Sequence, residues 1–339
     1  MRKKMLIVTF LSLVLTLGLF VSLSAAEATD LTNESDVYSV EFQHERLMEL
    51  LRGEVVVPFG FEGESVNVPR VNFILPPEGY RTYFLIGIED EPTPECINFI
   101  LMYTGIPEEF AVIDKAVLSR RILLDCETCE CDEVIITPEE YTGYFQGIMP
   151  LSTWGMGQMI SVPGLGNVTM GHPLNSGGLS FATSLHASNQ VARHRYVYIR
   201  NTNTRIGTVT NSFFDSRRDV AFVSLHSPHR INPTVQGGAI NNFQQRAALN
   251  DTVVSIRGVS GTQQATVVSI NASGRFFGDP FDFTNKIATG PVGRIEDGDS
   301  GAALIRRMSP TDRAVLGTLT GDAIVGGRHV VIYTCAMAY

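Results

Sequence analysis

From residue 151 to the end of the chain, apolar residues fall in short runs, many alternating with polar ones, and Gly, Asn, Pro and Ser separate the runs. A period of two bounded by turn residues predicts β-strands. The runs place them at 158–162, 167–170, 196–200, 204–211, 219–225, 252–258, 264–270, 302–305, 314–320 and 330–335. No sustained helical period interrupts them, which argues for an antiparallel barrel or sandwich and against a doubly wound sheet.

Residues 27–150 have a different texture. A short helix is expected at 41–51, a buried strand at 80–88, a helix at 94–103 with Pro94 at its start, and a second strand at 110–118 after Gly105-Ile106-Pro107. Strand, helix and strand in that order make a small α+β unit. From about residue 125 to 148 the pattern lapses into Cys126, Cys129, Cys131 and a run of acids, which reads as a linker open to proteolysis.

Charge separates the same two pieces. The 339-residue chain carries a formal net charge of −9, but residues 27–150 hold 25 acidic and 7 basic side chains, and residues 151–339 hold 10 acidic and 16 basic. An acidic segment of net −18 is therefore joined to a basic one of net +6. A composition of 44% hydrophobic and 18% charged residues excludes wholesale disorder. At the start, Arg2, Lys3 and Lys4 precede an uncharged apolar run from Met5 to Leu23 and then Ser24, Ala25, Ala26 and Ala28. This is the pattern of a secretory signal, residues 1–26, cut after about Ala26 or Ala28. The run is also long enough to span a bilayer, so an uncleaved anchor is the alternative. The product is expected to be secreted, with neither nucleic acid nor a stable membrane association among its partners.

Four of the five cysteines, Cys96, Cys126, Cys129 and Cys131, lie in the acidic segment, so the basic one, with Cys335 alone, can form no disulfide of its own. The Cys126-Glu-Thr-Cys129-Glu-Cys131 cluster lacks the second Cys or His pair of a structural zinc site, so disulfides or exposed thiols are expected there and no metal. His226 and His229 read as surface residues of a Ser-Pro loop, and Gly258-Val259-Ser260-Gly261 as a hairpin turn.

Three short sequences in the β-rich half carry chemistry: Asn167-Val168-Thr169-Met170-Gly171-His172-Pro173, then Arg218-Asp219-Val220-Ala221-Phe222-Val223, then Asp297-Gly298-Asp299-Ser300-Gly301. Singly each has a structural explanation, as a turn histidine, a strand start and a tight turn. Jointly they supply a nucleophile, a base and a carboxylate. A serine hydroxyl needs a histidine to take its proton, and the imidazole needs a buried carboxylate to fix its tautomer and stabilise its charge. These roles fall to Ser300, His172 and Asp219. Backbone N–H groups of Gly298 and Ser300 would hold the oxyanion.

These motifs resemble those of chymotrypsin-like serine proteases, closest to the compact secreted bacterial members, and the resemblance spans about residues 155–335. It implies an all-β catalytic domain, 151–339, of two six-stranded antiparallel β-barrels, preceded by a small α+β pro-segment, 27–150. The activity implied is cofactor-free hydrolysis of polypeptides through an acyl-enzyme. Leu316-Gly317-Thr318-Leu319-Thr320-Gly321 resembles the strand that pairs with substrate, which makes Thr320 and Gly321 substrate-binding residues. Arg294, six residues before Ser300, matches a pocket-lining position in digestive relatives and would favour an acidic substrate side chain; the alternative is a surface arginine. Pro173 stands where many members have a cysteine, so their disulfide there is absent.

Many secreted members are made with an N-terminal segment that assists folding or blocks the site. Residues 27–150 fit that role as a partner in cis, with opposite charge favouring docking and cleavage expected at about residues 143 to 153. Two other readings remain: a catalytically silent, protease-like peptide-binding protein, and a membrane-anchored signalling protease.

Overall fold

The computed structural model describes residues 39–55, 68–121, 123, 152–290, 293 and 295–339. The expected signal, the Cys126, Cys129 and Cys131 cluster, most of the linker with its cleavage range up to residue 151, and Arg294 lie outside the described residues.

Helix α1 (Val40–Arg52) begins where Ser39 Oγ accepts the Phe42 N–H at 3.1 Å and ends at Gly53, in the left-handed conformation at φ 76°. Helix α2 (Pro94–Thr104) is capped by Thr93, whose hydroxyl accepts the Cys96 N–H at 3.2 Å, and stops at Gly105. A side-chain cap before each helix and a glycine after it are the local signals that fix these boundaries.

Both helices bury Leu47, Leu50, Leu51, Phe99 and Ile100 against strands β1 (Val71–Leu75) and β2 (Phe84–Ile88). Strand β2 runs parallel to β3 (Ala111–Arg120), with α2 as the crossover, giving the strand–helix–strand unit expected from sequence. β1 and β2 are buried throughout because both faces are covered, and the one polar side chain, Asn72, donates to the Ala116 carbonyl at 3.0 Å. Ile74 and Ile86 face the helices, while Phe73, Leu75 and Leu85 face a second core containing Ala272, Phe276 and Ile332.

The remainder forms two closed sheets. In the first, β4 (Met159–Val162), β5 (Gly166–Thr169), β6 (His172–Pro173), β7 (Ser180–Thr183), β8 (Tyr196–Ile199), β9 (Arg205–Phe214) and β10 (Asp219–Leu225) are ordered β5-β4-β8-β9-β10-β7-β6. The chain runs directly from β5 to β6, which lie at opposite ends of that order, so the sheet closes, and the bent 166–173 run counts as one of six staves. Ile160, Val168, Phe181, Val197, Val209 and Val223 fill it.

In the second, β11 (Thr252–Ile256), β12 (Thr262–Gly274), β13 (Phe283–Gly290), β14 (Ala303–Arg307), β15 (Asp312–Val325) and β16 (Arg328–Cys335) pair in a ring, β11-β12-β13-β16-β15-β14 and back to β11. Val253, Val267, Leu304, Leu316, Val331 and Tyr333 form its centre. The expected pair of six-stranded barrels is therefore present.

The two pieces with opposite charge share hydrogen bonds between strands. β3 pairs antiparallel with the far end of β15, from Val325↔Ala116 to Gly321↔Arg120, and β1 pairs with the end of β12. One continuous sheet results, in which β3 lies between β2 and β15 and its end brings Arg121 to the Gly298–Ser300 loop.

Candidate active site

Ser300 and Asp219 come together as expected, but the imidazole between them is that of His186. Asp219, the first residue of β10, is buried; its Oδ2 lies 2.6 Å from His186 Nδ1 and its Oδ1 accepts the His186 backbone N–H at 3.2 Å. An ionised carboxylate only accepts, so Nδ1 carries the proton and Nε2 is free to accept from Ser300 Oγ, 2.8 Å away. His186 sits just past β7 at φ 51°, a left-handed conformation uncommon outside glycine and of a kind that gathers at functional sites.

Burial pushes Asp219 up, but the interactions with His186 and with the Arg120 guanidinium beside it, together with the His186 hydrogen bond, outweigh that and hold its carboxyl well below the usual carboxylate range. His186 is lowered, chiefly by burial; Asp219 opposes this and Arg120 adds to it. Lys286, buried behind the pair, donates to Thr334 Oγ1 at 2.8 Å, and the same hydroxyl accepts the Asp219 N–H at 3.2 Å. Burial lowers Lys286 to about 8.

His172 does not take part. It is wholly buried between the barrels, with Nδ1 3.0 Å from the Pro173 carbonyl and Nε2 2.8 Å from Tyr339 Oη, and the tyrosine in turn meets Thr318 Oγ1 at 2.9 Å. Both ring nitrogens are thus engaged away from Ser300, which corrects the sequence expectation. The preceding glycine serves packing: a Cβ on Gly171 would overlap the carbonyls of Ala182 and Gly301.

Burial lowers His172 to about 4. Between that value and the unfolded value near 6.5, the unfolded chain binds more protons, so stability is fully present above about pH 6.5 and is lost as the pH falls towards about 4. The loss is on the order of 3 kcal/mol. The fall in urea midpoint from pH 7 to pH 4.5 is expected to be smaller for His172→Gln than for the wild type.

The loop before Ser300 is held by Asp299, wholly buried, whose carboxylate accepts the N–H groups of Val259 (2.9 Å), Ser260 (3.2 Å) and Glu296 (2.9 Å) and the Ser260 hydroxyl (2.5 Å). The Gly258-Val259-Ser260-Gly261 turn thus anchors the nucleophile loop. Thr169 Oγ1 donates to the Gly298 carbonyl at 2.8 Å, and the Thr169 N–H to the Ser300 carbonyl at 2.8 Å. Gly298, at φ 99°, and Ser300 aim their N–H groups at one acceptor, the carbonyl oxygen of Arg121, at 2.6 and 3.0 Å. The two donors expected for an oxyanion are therefore convergent.

Thr320 is buried, with its hydroxyl 3.0 Å from that of Thr334, and Gly321 lies opposite Arg120 of β3. The charged group found beside them is acidic. Asp322 binds the Arg121 guanidinium through both oxygens at 2.7 Å. Two residues of the site, His186 and Asp322, were not singled out from sequence. His186 comes three residues after the short strand Ser180–Thr183 and precedes Ala187, a signal as good as that of His172 once the short β7 is recognised. His226 meets Thr208 Oγ1 at 2.8 Å, and His229 is buried against Trp154 instead of lying on the surface. Among the described residues no group of three or more His, Cys, Asp or Glu side chains could hold a metal ion, and no helix is long and apolar enough to cross a membrane.

No protein-family model and no curated protein matches the chain. Solved structures similar to it are chymotrypsin-like bacterial serine proteases. A Nocardiopsis protease matches at 18% identity and a TM-score of 0.42, over 54% of this chain and 93% of its own. Protease A of Thermobifida fusca matches at 20% and 0.41, over 54% and 92%. A chymotrypsin of Cellulomonas bogoriensis matches at 19% and 0.42, over 54% and 92%.

Proposed function

We propose that this protein is a secreted serine endopeptidase made as a precursor. Ser300 is the nucleophile, His186 its general base and then acid, Asp219 the group that orients the imidazole, and the N–H groups of Gly298 and Ser300 the oxyanion donors. The observation that carries this reading is His186, which meets Asp219 on one nitrogen and Ser300 Oγ on the other, beside two N–H groups already converged on a peptide carbonyl. That constellation suits acyl transfer: the hydroxyl loses its proton to Nε2 as it attacks, and the developing negative charge meets donors fixed in place.

Residues 27–150 act as the pro-segment in cis. The opposite charges of the two pieces and the pairing of β3 with β15 support docking, and the apolar run of residues 5–23 supports export. No cofactor enters this chemistry.

The test is hydrolysis of casein by the full chain, as purified and after limited proteolysis, for the wild type and Ser300→Ala. Ser300-dependent hydrolysis supports the reading. Tight binding of peptides with no such hydrolysis in either form would identify a peptide-binding protein instead.

A further inference from the structure

The strand leaving the acidic segment lies across the site as a peptide substrate would. β3 aligns Ser119 with Asp322 and Arg120 with Gly321. The next carbonyl, that of Arg121, takes both oxyanion donors, and Leu123 exchanges two backbone hydrogen bonds with Asn167, at 2.7 and 3.1 Å. Main-chain bonds thus hold the segment on both sides of Ser300, as when an extended peptide adds to a sheet edge. The residue whose carbonyl sits on the donors is the one before the bond to be broken, and here it is Arg121.

Its side chain meets a prepared partner. Asp322 is 1% exposed and offers both oxygens to Arg121 Nε and Nη2, while its Oδ2 also contacts His329 Nε2 at 2.5 Å. A second carboxylate, Asp297, lies 3.6 Å from Arg121 Nη1. The paired planar geometry suits guanidinium better than ammonium, and a neutral side chain would leave a buried carboxylate short of its counter-ion.

Arg120 has a cradle of its own. Its Nε donates to Asp279 Oδ1 at 3.1 Å, Nη2 also bonds Asp279, and Nη1 reaches Asp219 Oδ2 at 2.7 Å and lies against His186 Nδ1. The guanidinium lies 4.9 Å from the Phe214 ring centre and 4.6 Å from that of Phe276.

We propose that the site cleaves peptides after arginine, Asp322 being the residue that selects it and a second arginine one position earlier being favoured, and that its first substrate is the bond after Arg121 of its own chain. The proposal rests on the serine-endopeptidase reading and deepens it. It replaces the acidic preference drawn from Arg294 and moves the first cut from the 143–153 range to residue 121.

In the reaction, Ser300 Oγ bonds to the Arg121 carbonyl carbon as its proton passes to His186 Nε2. The C–N bond to Ile122 then breaks, and His186 returns the proton to the departing amine. Water next adds to the acyl carbon while giving a proton to His186, and Ser300 leaves with that proton. The products are an Arg121 carboxylate and an Ile122 amino terminus. The released strand still fits the cleft, so the cut product remains an inhibitor until it dissociates.

The experiment combines intact mass and N-terminal sequencing of the full chain with peptide-library profiling. Wild type is expected to yield a fragment beginning at Ile122, and Ser300→Ala to remain joined. Arg121→Gln should slow the cut at least about 100-fold and Arg121→Lys less. In the library, arginine should precede the cut bond, with a preference over glutamine of at least about 100-fold that Asp322→Asn abolishes. The Arg121 variants alter only the substrate, so their outcome does not depend on how well Asp322→Asn folds. Ser300-dependent hydrolysis of peptides with no arginine preference would overturn the assigned specificity and leave the peptidase reading standing. Arginine preference with an intact Arg121–Ile122 bond would overturn self-processing. Absence of Ser300-dependent hydrolysis of any peptide would overturn the peptidase reading itself.

Discussion

Replacing His186 by alanine is expected to lower kcat/KM by about 10⁴- to 10⁶-fold, whereas His172→Gln should stay within about tenfold of the wild type at pH 7. The difference follows from what each ring touches. His186 has one nitrogen on Asp219 and the other on Ser300 Oγ, so its loss removes both the acceptor of the nucleophile's proton and the later donor to the leaving amine. His172 spends its nitrogens on Pro173 and Tyr339, and glutamine can still bond the tyrosine hydroxyl. Steady-state kinetics on an arginyl peptide, with circular dichroism to establish that both variants are folded, makes the comparison.

The second large effect is expected from Asp299→Ala. Three backbone N–H groups and one hydroxyl converge on this buried carboxylate. Truncation takes the common acceptor from these donors, at a cost of about 3–5 kcal/mol. A thermal melt should show a midpoint lower by roughly 10 °C. The two oxyanion donors belong to residues on either side of Asp299, so activity below the melting range should also fall, by about 10²-fold or more. A variant with an unchanged midpoint and unchanged kcat would mean that the loop is held by other contacts.

How much could be read from the sequence depended on how local each signal was. The helices near 41–51 and 94–103 were legible because Ser39 and Thr93 cap them and Gly53 and Gly105 end them, all within a few residues. The barrels were legible from alternation, and the nucleophile loop from Gly298-Asp299-Ser300-Gly301. Strand 283–290 was missed because the buried Lys286 interrupts its apolar pattern; the lysine is accommodated by the Arg217 carbonyl and Thr334, partners far away in the chain. Strand 71–75 was missed because a short strand buried on both faces, with Asn72 among its apolar residues, has no period to read. The histidine was misassigned because a glycine precedes His172 and matched the expected motif, although that glycine is required by close packing against Ala182 and Gly301. The docking of β3, with Arg121 against Asp322, joins residues about two hundred positions apart, and only the folded chain brings them together.

The central claim is that Ser300 is activated by His186. A biotinylated fluorophosphonate reacts with such a serine, and peptide mass mapping locates the adduct. Measured on each variant after an added arginine-specific protease has cut the bond following Arg121 and the segment before it has dissociated, the adduct should lie on Ser300 in the wild type and in His172→Gln and be missing in His186→Ala. Labelling of Ser300 that survives in His186→Ala and is lost in His172→Gln would contradict the account.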